Sequence, residues 1–327
     1  MPRRSRNCFR SRIAILWFVI GFITVIGVLS MILRGEFSDE PVNWTFRGIP
    51  LRDAPYGCEE IASLQLVRRV GRGTTKDVYV SVYRNMRIAV KMVSPKVPDI
   101  KACLRRKMFR DREECYVYAN YKMMKEIALF QQLEHPNIAK LIGYCIQSDP
   151  LYSRERDHGV ISVVEFGSKA SLHRISDMSW QHKLQASIAL ADLLDYLENS
   201  PLGSLAIWDY KHSQFILTSD NKIKYSDLDD LSADEPQCET QEDCIIPKSN
   251  RIKVLCTHSR CDGFNAKFNL LRTTKEFLKP LLKETPEEYQ TELDEIFAKL
   301  NKLEMNAKDV KTMLTEMNDR HINYEGL

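Results

Sequence analysis

Residues 206–230 read AIWDYKHSQFILTSDNKIKYSDLDD, and the prediction of the fold begins from this stretch. The pattern predicts a short apolar strand, a polar loop and a strand pair that turns at residues 219–221. Asp209 begins the loop, Gln214 follows within it, and Asp227 closes the second strand of the pair. Two carboxylates placed in this way can accept a proton and hold a metal ion, although acidic residues are also common on solvated hairpins.

Upstream, residues 64–94 form three alternating, β-branched segments, which predict an antiparallel meander. Its first turn carries Gly71 and Gly73, followed by Lys76 and Val78, in the spacing G-x-G-x-x-K-x-V. Glycine lets a backbone close over a nucleotide without a Cβ in the way, but hairpin turns use glycine for other reasons too. The turn is therefore a candidate nucleotide-binding loop.

The third strand of the meander contains the tetrapeptide IAVK, which ends at Lys91. Apolar spacing then predicts a helix over residues 116–133, which carries Glu126. A lysine that faces phosphates needs a fixed carboxylate, and Glu126 is predicted to supply it, although a solvated helix charge would look the same. Strands are predicted over residues 138–146 and 160–165, and Glu165, Phe166 and Gly167 are predicted to form the hinge whose backbone meets adenine.

Taken in order, these residues follow the protein-kinase signature of glycine loop, strand lysine, helix glutamate, H-R-D and D-F-G. Residues 207–209 stand in place of H-R-D, Gln214 in place of the asparagine five positions on, and residues 227–229 in place of D-F-G. In kinases one Asp accepts the proton of the substrate hydroxyl and another holds metal on the ATP phosphates. Asp209 and Asp227 are predicted for those roles. Beyond residue 230 the signature fades, and no A-P-E triplet follows.

The beginning of the chain predicts entry into the secretory pathway. Residues 1–12 are rich in arginine, and residues 13–33 carry no charge and are long enough to cross a bilayer. Arginine before this segment and acidic residues after it favour a cytosolic tail and a type II membrane anchor. A cleaved signal peptide is the alternative. Residues 34–56, which include the sequon at Asn43, would form a lumenal stem, and residues 57–327 the catalytic domain.

Nine cysteines occur, eight of them after the uncharged segment, and an even number in an oxidising lumen predicts disulfides. A zinc site is less favoured because no C-x-x-C pair is present. Nearness in sequence predicts three pairs, and elimination leaves a fourth. The predicted pairs are Cys103/Cys115, Cys238/Cys244, Cys256/Cys261 and Cys58/Cys145. The net charge of +3 is too small to suggest binding to nucleic acid.

The chain resembles the extracellular tyrosine-protein kinases of the vertebrate lonesome kinase family and, more distantly, other divergent, cysteine-rich kinase-like proteins of the lumen. The resemblance covers residues 57–283, and its unusual features agree as well, including the glutamine in place of asparagine and D-L-D in place of D-F-G. The segments that carry it are HPNIAKLIGYC, NSPLGSLAIWDYKHSQFIL, KIKYSDLDDL and CDGFNAKFNLL. It implies an α+β, bilobal kinase-like fold with a β-rich N-lobe and a helical C-lobe.

The resemblance also implies ATP with Mg²⁺ or Mn²⁺ as cofactors, and phosphorylation of tyrosine on secreted or membrane proteins, in the Golgi or after release from the cell. The predicted site residues fall into three groups by role. The catalytic residues are Asp209, Lys91 and Glu126, the nucleotide-binding residues are Gly71, Gly73, Val78, Lys91 and Glu165, and the metal ligands are Gln214 and Asp227.

Two alternatives stay open at this point. Gln214 favours a pseudokinase that serves as a scaffold, because its longer side chain would hold a metal less firmly than asparagine, and Lys76 in the glycine turn adds to this. A kinase that acts on a glycan hydroxyl is the other alternative, because the acceptor pocket lies in the divergent C-terminal region.

Overall fold

The computed structural model describes residues 45–46, 49–94, 96–109, 111–148, 158–247, 249 and 251–325. The predicted cytosolic tail and membrane anchor, residues 1–33, lie outside these residues, as does the first part of the predicted stem. Within the described ranges, no helix is both long enough and apolar enough to cross a bilayer.

The strands of the described residues are, in chain order, β1 (Thr45–Phe46), β2 (Ile49–Pro50), β3 (Leu66–Arg72), β4 (Asp77–Tyr83), β5 (Met86–Met92), β6 (Leu141–Ser148), β7 (His158–Glu165), β8 (Ser168–Lys169), β9 (Ala206–Ile207), β10 (Phe215–Leu217), β11 (Ile223–Tyr225), β12 (Leu231–Ser232), β13 (Leu255–Thr257) and β14 (Arg260–Asp262). The α-helices are α1 (Cys58–Ala62), α2 (Pro98–Arg106), α3 (Arg112–Gln132), α4 (Leu172–Ser176), α5 (Trp180–Glu198), α6 (Phe264–Thr273), α7 (Lys279–Leu281), α8 (Glu287–Lys302) and α9 (Ala307–Glu325).

The N-terminal lobe is built on a five-stranded antiparallel sheet in the order β3-β4-β5-β7-β6. The predicted meander over residues 64–94 is confirmed, since it forms β3, β4 and β5. Apolar residues recur along the strands because one face of the sheet packs against the core. Ile88, Val90 and Val163 are almost completely buried together within the sheet.

Helix α3 lies beside this sheet and begins four positions before the predicted residue 116. Asp111 explains the earlier start, because its Oδ1 accepts a hydrogen bond from Glu114 N at 2.9 Å and so caps the helix. Met123 and Ile127 are fully buried on α3. Glu126 lies on the same buried side of α3 and has no exposed surface.

The C-terminal lobe is mostly helical, with α5 packed along α9. Helix α5 begins after Ser179, whose side chain caps it by accepting a hydrogen bond from His182 N. Leu190 and Leu194 are buried members of the large core that α5 shares with the other helices. A β-rich first lobe followed by a helical second lobe confirms the predicted bilobal kinase-like fold.

Two helices, α8 and α9, end the C-terminal lobe. The first ends at Leu303, whose φ of 54° places it in the left-handed region. A non-glycine residue rarely adopts this conformation, and it turns the chain out of the helix. Before α8, α6 runs through a single π-helical segment, Thr274–Leu278, into α7.

The quoted stretch folds as predicted around a hairpin. Strand β10 pairs with β11 so that Phe215 faces Tyr225, and the chain turns through Asn221, whose φ is 59°. Strand β9 pairs with β12 through Ile207 and Leu231. These two pairings bring the residue after β9 and the residues between β11 and β12 to the same edge of the C-terminal lobe.

Four disulfides connect the eight cysteines of the described residues, and two of them follow the prediction, Cys103–Cys115 and Cys58–Cys145. The other two predicted pairs, Cys238/Cys244 and Cys256/Cys261, are wrong. The observed bonds are Cys238–Cys256 and Cys244–Cys261. A sulfur held in a disulfide lacks the thiolate that zinc requires, so the less favoured zinc alternative is wrong as well.

The interlaced pairing follows from the β13–β14 hairpin. Cys256 and Cys261 are direct partners across this hairpin, where Cβ atoms lie about 4.5–5.5 Å apart, whereas a disulfide prefers about 3.8 Å. The segment before the hairpin carries the two partner cysteines. Cys238 N donates to Ser259 O at 3.1 Å, and Val254 N donates to Cys244 O at 3.1 Å, so each cysteine meets a partner from a neighbouring segment.

Candidate active site

A cleft of about 270 Å³ lies between the five-stranded sheet and the β10–β11 hairpin. Val78 and Ala89 from the sheet and Ile216 from the hairpin give it apolar walls that can contact the faces of a flat ring. Gly71 also lines the cleft. Gly73 lies at the tip of the same turn, where its N donates to Lys76 O at 2.8 Å.

Lys91 and Glu126, predicted to pair, come together at the inner end of this cleft. Lys91 Nζ on β5 lies 2.6 Å from Glu126 Oε1 on α3, and it also donates to the carbonyl oxygen of Ser226. Both side chains are buried. Buried charges persist only when they are paired, so this contact fixes the position of the lysine.

Lys76 also reaches this position, an arrangement that was not predicted from the sequence. Its Nζ lies 2.8 Å from Glu126 Oε2 and 3.3 Å from Asp229 Oδ2, and it contacts Asp227 Oδ1. Burial opposes the charge on this lysine, but the carboxylates around it outweigh burial and raise its pKa well above the usual value. The side chain is therefore a permanent cation. The one signal in the sequence was a lysine where a third glycine is usual.

Asp227 and Asp229 face Lys76 from the segment between β11 and β12. Burial raises the pKa of Asp227, but Lys76 and Lys91 outweigh it, so the pKa lies below the usual value. Burial raises the pKa of Asp229, and repulsion from Asp227 and Glu126 adds to it, so that pKa lies above the usual value despite Lys76. Asp229 is a second carboxylate that the predicted set of metal ligands did not include.

The fold family implies a divalent metal, and the acidic residues fit one. Asp227 Oδ1 is buried and has no hydrogen-bond partner of regular geometry among the described residues; its contact there is the ion pair with Lys76. Carboxylate oxygens of this kind are the ligands that Mg²⁺ and Mn²⁺ prefer. Asp227 and Asp229 would hold the ion.

Gln214, the other predicted ligand, lies on the neighbouring loop. Its Nε2 donates to Asp209 Oδ2 at 2.8 Å, so the nitrogen side of the amide is committed to the aspartate. Only Gln214 Oε1 could then contribute to a metal site.

Asp209 follows β9 by two residues, and 32% of its side chain is exposed. Its carboxylate is held from two sides, by Gln214 and by Lys211, whose Nζ lies 2.6 Å from Oδ1. Helix α6 fixes the loop from below, since Asn269 Oδ1 accepts from Ile207 N at 2.8 Å and Arg272 Nη2 donates to Tyr210 O at 2.9 Å. A partly exposed, oriented carboxylate of this kind can accept a proton from a bound hydroxyl.

Glu165 ends β7 at the rim of the cleft, where a hinge was predicted. Its carboxylate pairs with Lys224 Nζ at 2.7 Å, and its N donates to Lys140 O at 2.9 Å. The Glu165 N–H is therefore already bonded within the protein and is not available to adenine. The carbonyl oxygen of Glu165 or the backbone of Phe166 and Gly167 would have to supply the hinge contact.

Comparison with known proteins agrees with this architecture. Residues 119–301 match the model of the family described as the protein-kinase domain of FAM69. The chain is 32% identical to the extracellular tyrosine-protein kinase PKDCC of Homo sapiens, over 69% of this chain and 45% of that protein. It is 23% identical to the protein O-mannose kinase of Xenopus laevis, over 79% of this chain and 68% of that protein. With the protein kinase STUNTED of Arabidopsis thaliana it shares 25% identity over 51% of this chain and 23% of that protein. The chain spans about half the length of the first curated relatives it matches.

Proposed function

We propose, from the premise that the chain belongs to the family of the protein-kinase domain of FAM69, that it transfers the γ-phosphoryl group of ATP to proteins of the secretory pathway. The observation that carries this proposal is the buried pair of Lys91 and Glu126 beside an apolar cleft, which Lys76 connects to the partly exposed Asp227. Asp209 lies on the loop that follows β9. A binding protein has no need to bury so many charges together, whereas phosphoryl transfer requires them.

In this proposal Lys91, held by Glu126, contacts the phosphates of the nucleotide, and the apolar walls of the cleft hold its base. Bound at Asp227 and Asp229, Mg²⁺ or Mn²⁺ would neutralise charge on the phosphate oxygens. The acceptor hydroxyl oxygen forms a bond to the γ-phosphorus while the bond from that phosphorus to the β–γ bridging oxygen breaks and ADP leaves. Asp209 accepts the hydroxyl proton, and its contacts with Gln214 and Lys211 keep it oriented for this step.

The acceptor is proposed to be tyrosine in secreted or membrane proteins. Support comes from the similarity to a protein named as an extracellular tyrosine-protein kinase. The test incubates the full chain with labelled ATP, Mn²⁺ or Mg²⁺ and secreted proteins, followed by phosphoamino-acid analysis. Label on tyrosine is expected. Label confined to serine, threonine or a glycan would contradict the proposed acceptor, and the glycan outcome would favour the alternative that the similarity to protein O-mannose kinase supports.

The proposed location is the Golgi membrane, with residues 1–12 in the cytosol, residues 13–33 as the anchor, residues 34–56 as the stem and residues 57–327 as the lumenal kinase domain. Four disulfides support an oxidising compartment. We expect the cellular protein to retain its N-terminal peptides and to resist extraction with carbonate. Finding only protein that begins near residue 35 would contradict the anchor and favour release from the cell.

The second candidate function is a scaffold without transfer activity. Gln214 favours it, because its side chain is longer than the usual asparagine and its Nε2 is held on Asp209, which leaves only Oε1 for a metal. Gln214→Asn distinguishes the two functions. If the glutamine supports catalysis, the shorter amide should leave the rate of transfer within about tenfold of wild type, less than the loss expected for a catalytic residue. A wild-type chain without transfer in any divalent metal, together with a variant that gains it, would establish the scaffold.

A further inference from the structure

Lys76 lies where a metal ion would be expected. Its ammonium group contacts Asp227 Oδ1 and lies 3.3 Å from Asp229 Oδ2, the two carboxylates proposed to hold the metal. Lys76 is buried, with 4% of its surface exposed, so water does not screen these contacts. A cation that is part of the chain thus already neutralises the proposed metal site.

Lys76 is additional to the lysine of the kinase signature. Lys91 uses Glu126 Oε1 and the carbonyl oxygen of Ser226, whereas Lys76 uses Glu126 Oε2 and the two aspartates. Two ammonium groups and three carboxylates meet here, so the net charge of the group is −1. Adding a divalent ion at the same aspartates would leave an excess of positive charge in a buried site, and the ion and Lys76 would repel each other.

The position of Lys76 on a turn allows its side chain to move. It belongs to the turn between β3 and β4, four positions after β3 ends and directly before β4 begins. This turn covers the cleft, and Lys76 lines the cleft together with Gly71 and Lys91. A lysine has four rotatable methylene bonds, so its ammonium can leave the aspartates and reach phosphates bound in the same cleft.

We propose that Lys76 is a displaceable cation, which neutralises Asp227 and Asp229 until a metal–nucleotide complex arrives and then contacts the phosphates of the nucleotide. The proposal rests on the metal-binding role that the proposed function gives to Asp227. It makes Lys76 a further nucleotide-binding residue and makes metal binding depend on the nucleotide. Metal alone must compete with the ammonium, whereas metal with nucleotide brings the phosphates that receive it.

The test is a calorimetric titration of the full chain with Mn²⁺ alone and, separately, with Mn²⁺ in the presence of a non-hydrolysable ATP analogue. Lys76→Met is expected to bind Mn²⁺ alone at least about tenfold more tightly than wild type, because the competing cation is gone. It is expected to bind the analogue with Mn²⁺ about tenfold more weakly, because one phosphate contact is lost. Opposite changes of the two affinities would show an exchange, in which the metal replaces the Lys76 ammonium at the two aspartates.

Lys183→Met is the matched control, because Lys183 is equally buried and pairs with Glu284 at 3.1 Å in the C-terminal lobe. It should change neither affinity. An affinity for Mn²⁺ alone that is unchanged or weaker in Lys76→Met would overturn the proposal. A Lys76→Met chain that fails to fold even with Mn²⁺ would also overturn it, since Mn²⁺ would then be unable to replace the ammonium.

Two further outcomes separate this proposal from the proposed function. Asp227→Ala should lose Mn²⁺ binding in the same titration, and retention of binding would overturn both the metal role of Asp227 and the exchange. Absence of phosphoryl transfer by the wild-type chain would remove the proposed function, but the opposite changes in affinity would still support the exchange.

Discussion

Asp227→Ala is expected to reduce phosphoryl transfer by at least about 10³-fold and to weaken binding of ATP with Mn²⁺. The reason is that Asp227 provides the buried carboxylate oxygen that is proposed to bind the metal. Lys91→Met should act in the same direction, since it removes the cation that Glu126 holds and that is proposed to contact the phosphates. Transfer of label from ATP measures the first effect, and the shift in Tm on adding ATP with Mn²⁺ measures the second.

Asp220→Ala is the matched control for this experiment. Asp220 lies on the turn of the same hairpin, is exposed and pairs with Lys222 at 2.8 Å. Exposed ion pairs contribute little, so this variant should keep both activities. If Asp227→Ala kept transfer within about threefold of the control, the cleft would not be a site of metal-assisted transfer.

Asp209→Asn is expected to separate the two activities. Transfer should fall by about 10²–10⁴-fold, because the amide has the same shape but cannot accept the hydroxyl proton. Binding of ATP should stay within about twofold of wild type, because Asp209 contacts Gln214 and Lys211 rather than Lys76 and Lys91, the lysines that line the cleft. Single-turnover rates and the ATP-induced shift in Tm give the two values.

Equal losses of ATP binding and of transfer in Asp209→Asn would place this residue in nucleotide binding and not in proton transfer. Unchanged transfer would contradict the role of a base altogether. Asp220→Asn, at the exposed turn of the hairpin, controls for the loss of one negative charge near the site.

Local patterns were sufficient for most of the fold. Alternating β-branched residues predicted the three strands of residues 64–94, and the turn at residues 219–221 predicted the hairpin, because both depend on neighbours in the sequence. The break between α8 and α9 could not be predicted in this way. It depends on Leu303 in a left-handed conformation, and leucine gives no signal for that conformation.

The disulfides show the same limit. Nearness in sequence paired Cys238 with Cys244 and Cys256 with Cys261, but the register of the β13–β14 hairpin and its contacts with the preceding segment decide the pairing. Register is a tertiary property, because it depends on which faces of the strands are buried. Cys103–Cys115 was predictable, since the cysteines flank one short connection between α2 and α3.

The candidate site divides in a similar way. Lys91, Glu126, Asp209 and Asp227 were found from the order and spacing of a known signature. The structure pairs Lys91 with Glu126, and Lys76 connects this pair to Asp227. The roles given to these residues remain predictions. Lys76 and Asp229 were missed as members of this group because their meeting depends on how the glycine turn folds over the hairpin, and residues so far apart in sequence carry no shared pattern.

The most direct measurement of the central claim is metal-dependent incorporation of label from γ-labelled ATP into secreted proteins by the full wild-type chain, with and without EDTA. We expect incorporation with Mn²⁺ or Mg²⁺ and its complete loss with EDTA, because Asp227 and Asp229 are proposed to hold the metal that transfer requires. Wild-type protein that binds ATP but transfers no label with either metal would contradict the claim that this cleft is the active site of a kinase.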